Sequence, residues 1–341
     1  MDGVDLAGCE FTCDGTVWEF RIIAGETLPY PEQLKLKLEN ASGWSKERIQ
    51  KLDMELGVYY AQLLNDFHNS HRLTPHLIAS HGHTILHEPL RGITLQAGNG
   101  DVMAKRTGIT VINDFRSEDV TQGGQGAPLV PVGDRLLFSS FEGCLNLGGF
   151  GNISFENEGN RRIAYDLCPV NMALNWIAGL EGLEFDQDGR MARQGEVYAT
   201  ILESLNSLSF YNMAAPKSLG REWFLGEFLP IIKSSEVSTS DLMATVVEHI
   251  AIQIAGGINR AGIGSVLVTG GGALNQTLIE RIGVYTSAQI EIPDLQLVHF
   301  KEALVFALLG LLRWREEINV LASVTGGKKD LSAGTIHKNK H

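Results

Sequence analysis

The chain has 341 residues, 44% apolar and 20% charged. At ~150 residues per domain that is about two domains, which excludes both a single small module and a disordered chain. With 28 Lys and Arg against 40 Asp and Glu, the net charge is −12, which excludes a sequence-independent nucleic-acid binder, since that needs a basic face. No apolar run reaches the ~18 residues of a membrane span, and MDGVDLAGCEF has no basic leader segment. Four cysteines (Cys9, Cys13, Cys144, Cys168) are too few for a disulfide framework. A cytoplasmic protein with no membrane and no nucleic-acid polymer as partner is the expectation. The 38 glycines, about 11% of the chain against ~7% on average, are expected in turns and in loops that something approaches closely.

In chain order, Val4 to Thr12 and Val17 to Thr27 read as strands joined by Asp14-Gly15, a hairpin signal. Ile49, Leu52, Leu56, Tyr59, Leu63 and Phe67 mark one stripe of a long helix, with Ser45 as its N-cap. Short strands at Leu77 to Ser80, Ile93 to Ala97 and Ile109 to Asn113 follow, with a helix over Val102 to Arg106. A loop from Arg116 to Pro131 is long enough to suggest a function. Three strands come next, Cys144 to Gly149, Asn152 to Glu156 and Arg162 to Asp166, then a helix from Met172 to Gly179. Further on are a long helix (Asp241 to Arg260), a buried strand (Ser265 to Thr269), a helix (Leu274 to Ile282), a strand (Gln289 to Ile292) and an apolar helix (Glu302 to Trp314). The reading is two α/β domains, 1–141 and 142–320, with a mobile Lys/Gly-rich tail over 321–341. The second domain runs β-β-β-α-β-α-β-α; the first has the same order with one strand fewer before its helix.

Six groups of residues could carry chemistry. LNLGGFGNIS (145–154) sets Gly148, Gly149 and Gly151 between two β runs, either an anion nest or a plain glycine hairpin. VLVTGGGALN (266–275) takes a buried strand through Gly270, Gly271 and Gly272 into a helix, which suits a nucleotide but also a tight turn; it is neither G-x-G-x-x-G nor a Walker A loop. Asp166 ends a strand and Pro169 opens a helix, so Asp166 is either a general base at a strand tip or a helix cap. His81, His83 and His87 could suggest zinc, but no Cys or suitably spaced carboxylate completes a site, and hydrogen bonding to a ligand or backbone is the better reading. Arg116, Glu118 and Asp119 precede the glycines of the long loop and suit an anionic or polar substrate, or a surface ion pair. Glu302 sits at the start of its apolar helix, where a carboxylate is favourable in any case.

The strings SHGHT, GITLQAGNGDVMAKRTGITVINDFRSEDV, GGQGAPLVP, LNLGGFGNIS, APKSLGREWF, VTGGGALN and KEALVFALLG, in this order, resemble the anhydro-N-acetylmuramic acid kinase family over nearly the whole chain. The resemblance implies a two-domain actin-like ATPase fold, a duplicated βββαβαβα plan of ribonuclease H type with ATP in the cleft. It implies hydrolysis of the 1,6-anhydro ring of an amino sugar and phosphorylation of its O6, with ATP and Mg²⁺, by a homodimer. Asp166 then matches the base. Gly149, Gly151 and Asn152 match one phosphate motif, Asp2 and Gly3 the end of another, and Gly270, Gly271 and Gly272 the adenosine motif. His81, Arg116, Asp119 and Glu302 match the sugar side, and no metal-ligating residue is assigned.

Two departures from the family pattern carry expectations of their own. Asp166-Leu167-Cys168-Pro169-Val170-Asn171 stands where the family has D-T-G-P-G-N, which could retune the fit to the sugar. The family also opens with a strand and a loop G-x-x-S-G-T-S-x-D-G-x-D, of which only Met1-Asp2-Gly3-Val4-Asp5 matches the end. The first strand of domain I is therefore expected to be missing, the working protein to be longer, and the 341-residue form to be weak in ATPase activity. A catalytically impaired nucleotide- or sugar-binding protein and a kinase for a related amino sugar are the alternatives.

Overall fold

The computed structural model describes residues 3–338. The strands are β1 (Val4–Asp14), β2 (Val17–Leu28), β3 (Leu77–Ala79), β4 (His83–Glu88), β5 (Ile93–Ala97), β6 (Thr110–Asn113), β7 (Gly143–Leu147), β8 (Phe150–Glu156), β9 (Arg162–Pro169), β10 (Ser265–Thr269), β11 (Gln289–Glu291) and β12 (Thr335–His337). The chain forms two compact units, one of residues 1–137 with 300–341, the other of residues 138–299.

In the first unit, β1 and β2 make a long antiparallel hairpin from Val4↔Leu28 to Asp14↔Val17. Gly15 takes the turn at φ 61°, the left-handed region that glycine enters without steric cost. The helix Lys46–His71 follows; Ser45 caps it by accepting from the Arg48 N–H. Its stripe Ile49, Leu52, Leu56 and Tyr60 is buried and packs with Ile78, Met103 and Val111 in one apolar cluster. β3 pairs parallel with β6, the helix Gly100–Thr107 lying between them in sequence, and β12 pairs antiparallel with the other side of β6. β4 and β5 form a separate hairpin. The β4 strand has no counterpart in the sequence reading, because HTILHE alternates too weakly to stand out.

The C-terminal residues correct the expected boundaries. Residues 300–320 group with the first unit rather than with the second domain. The cause is close packing: a Cβ on Gly310 would lie 2.5 Å from the Ala79 methyl. The described part of the expected mobile tail, 321–338, is also tied down. Asn319 Nδ2 donates to Leu309 O and Ala333 O, Arg313 Nε donates to Gly334 O, and His337 bridges Asn113 and Asp101. Its lysines and glycines hid the Ile336 strand that satisfies the edge of β6.

The second unit is a five-stranded sheet in the order β11-β10-β7-β8-β9, with β7 central, parallel to β10 and antiparallel to β8. The helix Thr239–Ala261 is capped by Ser238 and buries Leu242, Val246, Ile250 and Ile254 in the core of this unit. That helix and Leu295–Trp314 are long and apolar enough to cross a membrane, against the expectation that no apolar run reaches the length of a span. In the first of them that apolarity is spent on the core, since 78% of its most apolar stretch is buried.

Candidate active site

In the second unit, cross-strand register brings polar residues into one row. Thr269 of β10 pairs with Asn146 of β7, Asn146 with Asn152 of β8, and Asn152 with Asp166 of β9. Paired residues share a face of the sheet. The row crosses four strands of a sheet whose neighbouring positions Leu145, Leu147, Ile153 and Val268 are buried. Asp166 owes its place in the row to a bulge: Gly151 opposes Cys168 and Asn152 opposes Asp166, so Leu167 has no cross-strand partner. Such an extra residue re-aims its neighbours.

The Asp166 carboxylate is held from the chain that crosses it. Its Oδ2 accepts from the Leu219 N–H at 2.7 Å, and its own N–H donates to Lys217 O at 3.0 Å. Lys217 is buried, and its ammonium donates to Phe210 O and lies over the Phe210 ring. Burial pushes the Asp166 carboxyl above the ordinary aspartate range, against the pull of the Leu219 N–H. β9 continues three residues past Asp166, and the next helix is Asn171–Gly179. Pro169 therefore closes a strand rather than opening a helix, because Phe150 pairs with it, and Asp166 is not a helix cap. The departures from the family string point inward: Leu167 packs on Gly257, Cys168 is fully buried, and Val170 contacts Gly151 and Gly272. All three side chains are thus part of the core of this unit.

Two glycine turns lie at the carboxyl ends of β7 and β10. Gly270 takes φ 83°, and a Cβ there would lie 2.7 Å from Asn146 Oδ1 and 2.8 Å from the Leu147 backbone. Gly271 and Gly149 are open instead: the nearest atoms to an added Cβ are Asn171 Nδ2 at 3.5 Å and Met172 Cε at 4.0 Å. A short 3₁₀ turn over Gly271–Leu274 leads through the Asn275 cap into the helix Gln276–Tyr285. Asn171 ties the first turn down, its Nδ2 donating to Leu147 O and its N–H to Gly148 O. Open glycine backbone at strand ends, with helix-turn N–H groups that have no partner inside the turn, suits phosphate oxygens. Gly149, Gly151, Asn152, Gly270, Gly271 and Gly272 are thus brought into one neighbourhood of the sheet. Asn146 and the Lys217–Leu219 segment lie in the strings LNLGGFGNIS and APKSLGREWF, to which the sequence assigned no role at these positions; the asparagine between two buried leucines was the available signal.

In the first unit, Arg116 Nε and one Nη donate to His81 Nε2 at 3.1 and 2.8 Å, and the other Nη donates to Gly126 O. Accepting from a guanidinium fixes His81 as neutral at Nε2, and burial with Arg116 nearby pushes it down to about 3. Its ring packs on Phe306 at 4.5 Å. His83 faces Tyr30 and His87 bonds Thr94, so the three imidazoles diverge. Among the described residues no group of three metal-ligating side chains occurs. Glu302 faces a cavity also lined by His81 and Asp5. Its surroundings push its carboxyl up, Arg116 pulls it down, and Asp5 pushes it further up. It lies well inside the helix Leu295–Trp314, not at the start as expected.

Asp119 is different. It is fully buried, Oδ2 accepting from the Gly126 N–H and Oδ1 from the Thr325 hydroxyl. A Cβ on Gly124 would fall 2.1 Å from its Oδ2. The GGQG loop is glycine-rich because it wraps this carboxylate, so Asp119 holds the loop and is not turned to a sugar. A Cβ on Gly3 would lie 2.6 Å from the Leu28 carbonyl oxygen, closer than a side chain tolerates; Asp2 lies outside the described residues.

Residues 1–339 match the anhydro-N-acetylmuramic acid kinase family. The chain is 33% identical over 357 residues to the anhydro-N-acetylmuramic acid kinase of Pasteurella multocida, covering 99% of this chain and 94% of that one. It is 32% identical to those of Mannheimia succiniciproducens and Haemophilus influenzae, covering 98% of this chain and 96% and 94% of theirs. Among solved structures it is similar to the activator of the 2-hydroxyisocaproyl-CoA dehydratase from Clostridium difficile, at TM-score 0.43 and 13% identity over 86% of this chain and 91% of that one. With its two α/β units and its glycine turns at the strand ends, the chain belongs to the anhydro-N-acetylmuramic acid kinase family.

Proposed function

We propose that the chain hydrolyses the 1,6-anhydro ring of anhydro-N-acetylmuramic acid and phosphorylates O6 with ATP, giving N-acetylmuramic acid 6-phosphate and ADP. The observation that carries it is the Asp166 carboxylate, clamped by the Leu219 N–H at the end of a row of polar residues beside two open glycine turns. Asp166 takes a proton from water, the water oxygen bonds C1, and the C1–O6 bond breaks. The freed O6 then bonds the γ-phosphorus as the bond from that phosphorus to the β–γ bridging oxygen breaks and ADP leaves, and Asp166 gives up its proton to solvent. When bound, ATP with Mg²⁺ supplies the phosphoryl group and neutralises charge in its transfer. The open Gly149 and Gly271 backbone fits phosphate oxygens, and Mg²⁺ is carried mainly by the phosphates. Arg116, His81 and Glu302 are assigned to the sugar. A need for ATP supports a cytoplasmic reaction, and the family resemblance supports a homodimer.

Replacing Asp166 with Asn tests the base. The expected outcome is a loss of roughly 10²-fold or more in the rate of sugar phosphate formation, with ATP affinity retained; a full rate overturns the assignment. Because the carboxyl is held above its ordinary ~4 and must be ionised to act, kcat/KM falls on the acid side at a pH above that value. Phosphorylation of a related amino sugar in preference to the anhydro sugar overturns the substrate.

A further inference from the structure

In the segment that crosses Asp166, burial runs opposite to polarity. Residues 213–220 form neither helix nor strand, and Met213, Ala214, Ala215, Pro216 and Ser218 are exposed. The one buried side chain among them is the charged one, Lys217, 9% exposed. Lysine is almost never buried unless it is paired. Here the Nζ donates to Phe210 O at 3.0 Å and lies 4.4 Å from the centre of the Phe210 ring. Among the described residues no carboxylate pairs with this ammonium, and no other side chain of 213–220 makes a hydrogen bond. Phe210 is a firm support. It is buried in the short 3₁₀ turn Ser209–Asn212, and the next residue, Tyr211, bonds the fully buried His249 of the helix Thr239–Ala261.

A buried charge is costly, and an apolar side chain of similar volume often holds a structure as well or better. What the apolar side chain lacks is direction. A charge-assisted bond to one carbonyl fixes where Lys217 sits along the chain. From that same short stretch Lys217 O accepts the Asp166 N–H at 3.0 Å, and the Leu219 N–H donates to Asp166 Oδ2 at 2.7 Å. No described group bonds the other oxygen, Oδ1. We propose that Lys217 is a positioning residue for the Asp166 base: its buried ammonium registers residues 217–219 on the Phe210 carbonyl, so that the Leu219 N–H meets one carboxylate oxygen and leaves the other for water. This role rests on the reading of Asp166 as the base. The ammonium is turned to Phe210 and acts through the segment.

Two variants of the full chain test it. Lys217→Met keeps the length and loses the charge; Lys217→Arg keeps a cation and donors for Phe210 O. Three quantities are read: exchange of the Leu219 amide, titration of the Asp166 carboxyl carbon by NMR without substrate, assigned against Asp166→Asn, and the pH profile of kcat/KM for sugar phosphate formation. A hydrogen bond to the ionised carboxylate favours that form, so a loosened Leu219 N–H moves both pH midpoints upward. For Lys217→Met the expected results are roughly tenfold faster Leu219 exchange, both midpoints higher by about one pH unit, and unchanged ATP affinity by calorimetry. Lys217→Arg is expected to stay close to the wild type in all three. Unchanged exchange and titration in Lys217→Met overturn the inference. So does a loss of rate equal at every pH with both midpoints in place, or a shift as large in Lys217→Arg. If Lys217→Met does not fold, Lys217→Gln is read in its place; failure of both to fold overturns the inference, since the ammonium then serves the whole unit. A wild-type chain that phosphorylates no amino sugar defeats the base reading alone, because exchange and titration are measured without substrate.

Discussion

At the scale of single residues, carboxylates and imidazoles are sorted by what surrounds them. Asp119 and Asp166 are both acidic residues beside glycine-bearing strings, yet one is spent on the Gly126 N–H and Thr325 and the other is held by one backbone N–H. His249 is fully buried between Tyr211 and Asn206 and is held down to about 3. Its neutral form donates from Nδ1 to Asn206 and accepts from Tyr211 at Nε2. The unfolded chain binds this proton near 6.5, the folded chain only near 3. Above pH 6.5 the residue makes no difference to stability; below it the folded state loses ground, and the loss is complete near pH 3. His81 adds the same slope. Thermal unfolding between pH 7 and 4 is expected to show the midpoint dropping, and His249→Gln to flatten part of that drop; an unchanged slope counts against it.

At the scale of elements, strand ends and turns decide what can bind. Gly270 and Gly271 are adjacent but differ. Gly270→Ala forces a Cβ against the Leu147 backbone at a left-handed φ and is expected to cost several kcal/mol, seen as loss of soluble folded protein. Gly271→Val meets only Asn171 Nδ2 at 3.5 Å, so it is expected to fold with an unchanged circular dichroism spectrum. Its branched side chain covers the turn, and ATP binding by calorimetry is expected to weaken about tenfold, ~1.4 kcal/mol. Equal affinity for ATP would remove this turn from the nucleotide site. Strand bodies and long helices were legible because their periodicity is local: Ser265–Thr269 and the Ser45-capped helix stand where the spacing puts them. The bulge at Leu167 was not, because a bulge is a relation between two strands and leaves no mark in one of them.

At the scale of the whole molecule, the C-terminal residues matter more than their composition suggests. Thr335–His337 close the edge of β6, and His337 ties Asn113 to Asp101. A chain ending after Ala333 is expected to unfold at a midpoint lower by roughly 3 °C or more, with faster exchange of the β6 amides. An unaltered midpoint would mean that this edge contributes nothing. Most of the element order (β4 and β12 apart), the buried strands, the fold class and the glycine turns were determined by the sequence itself, since each depends largely on residues a few positions apart. Tertiary structure decided which carboxylate is tied up by its own loop, which segment holds Asp166 and where residues 300–338 belong. Those depend on which groups meet across tens or hundreds of residues: Thr325 with Asp119, Leu219 with Asp166, Ile336 with Ile112. Burial and pairing of polar groups, unlike periodicity, are properties of such meetings and not of the string.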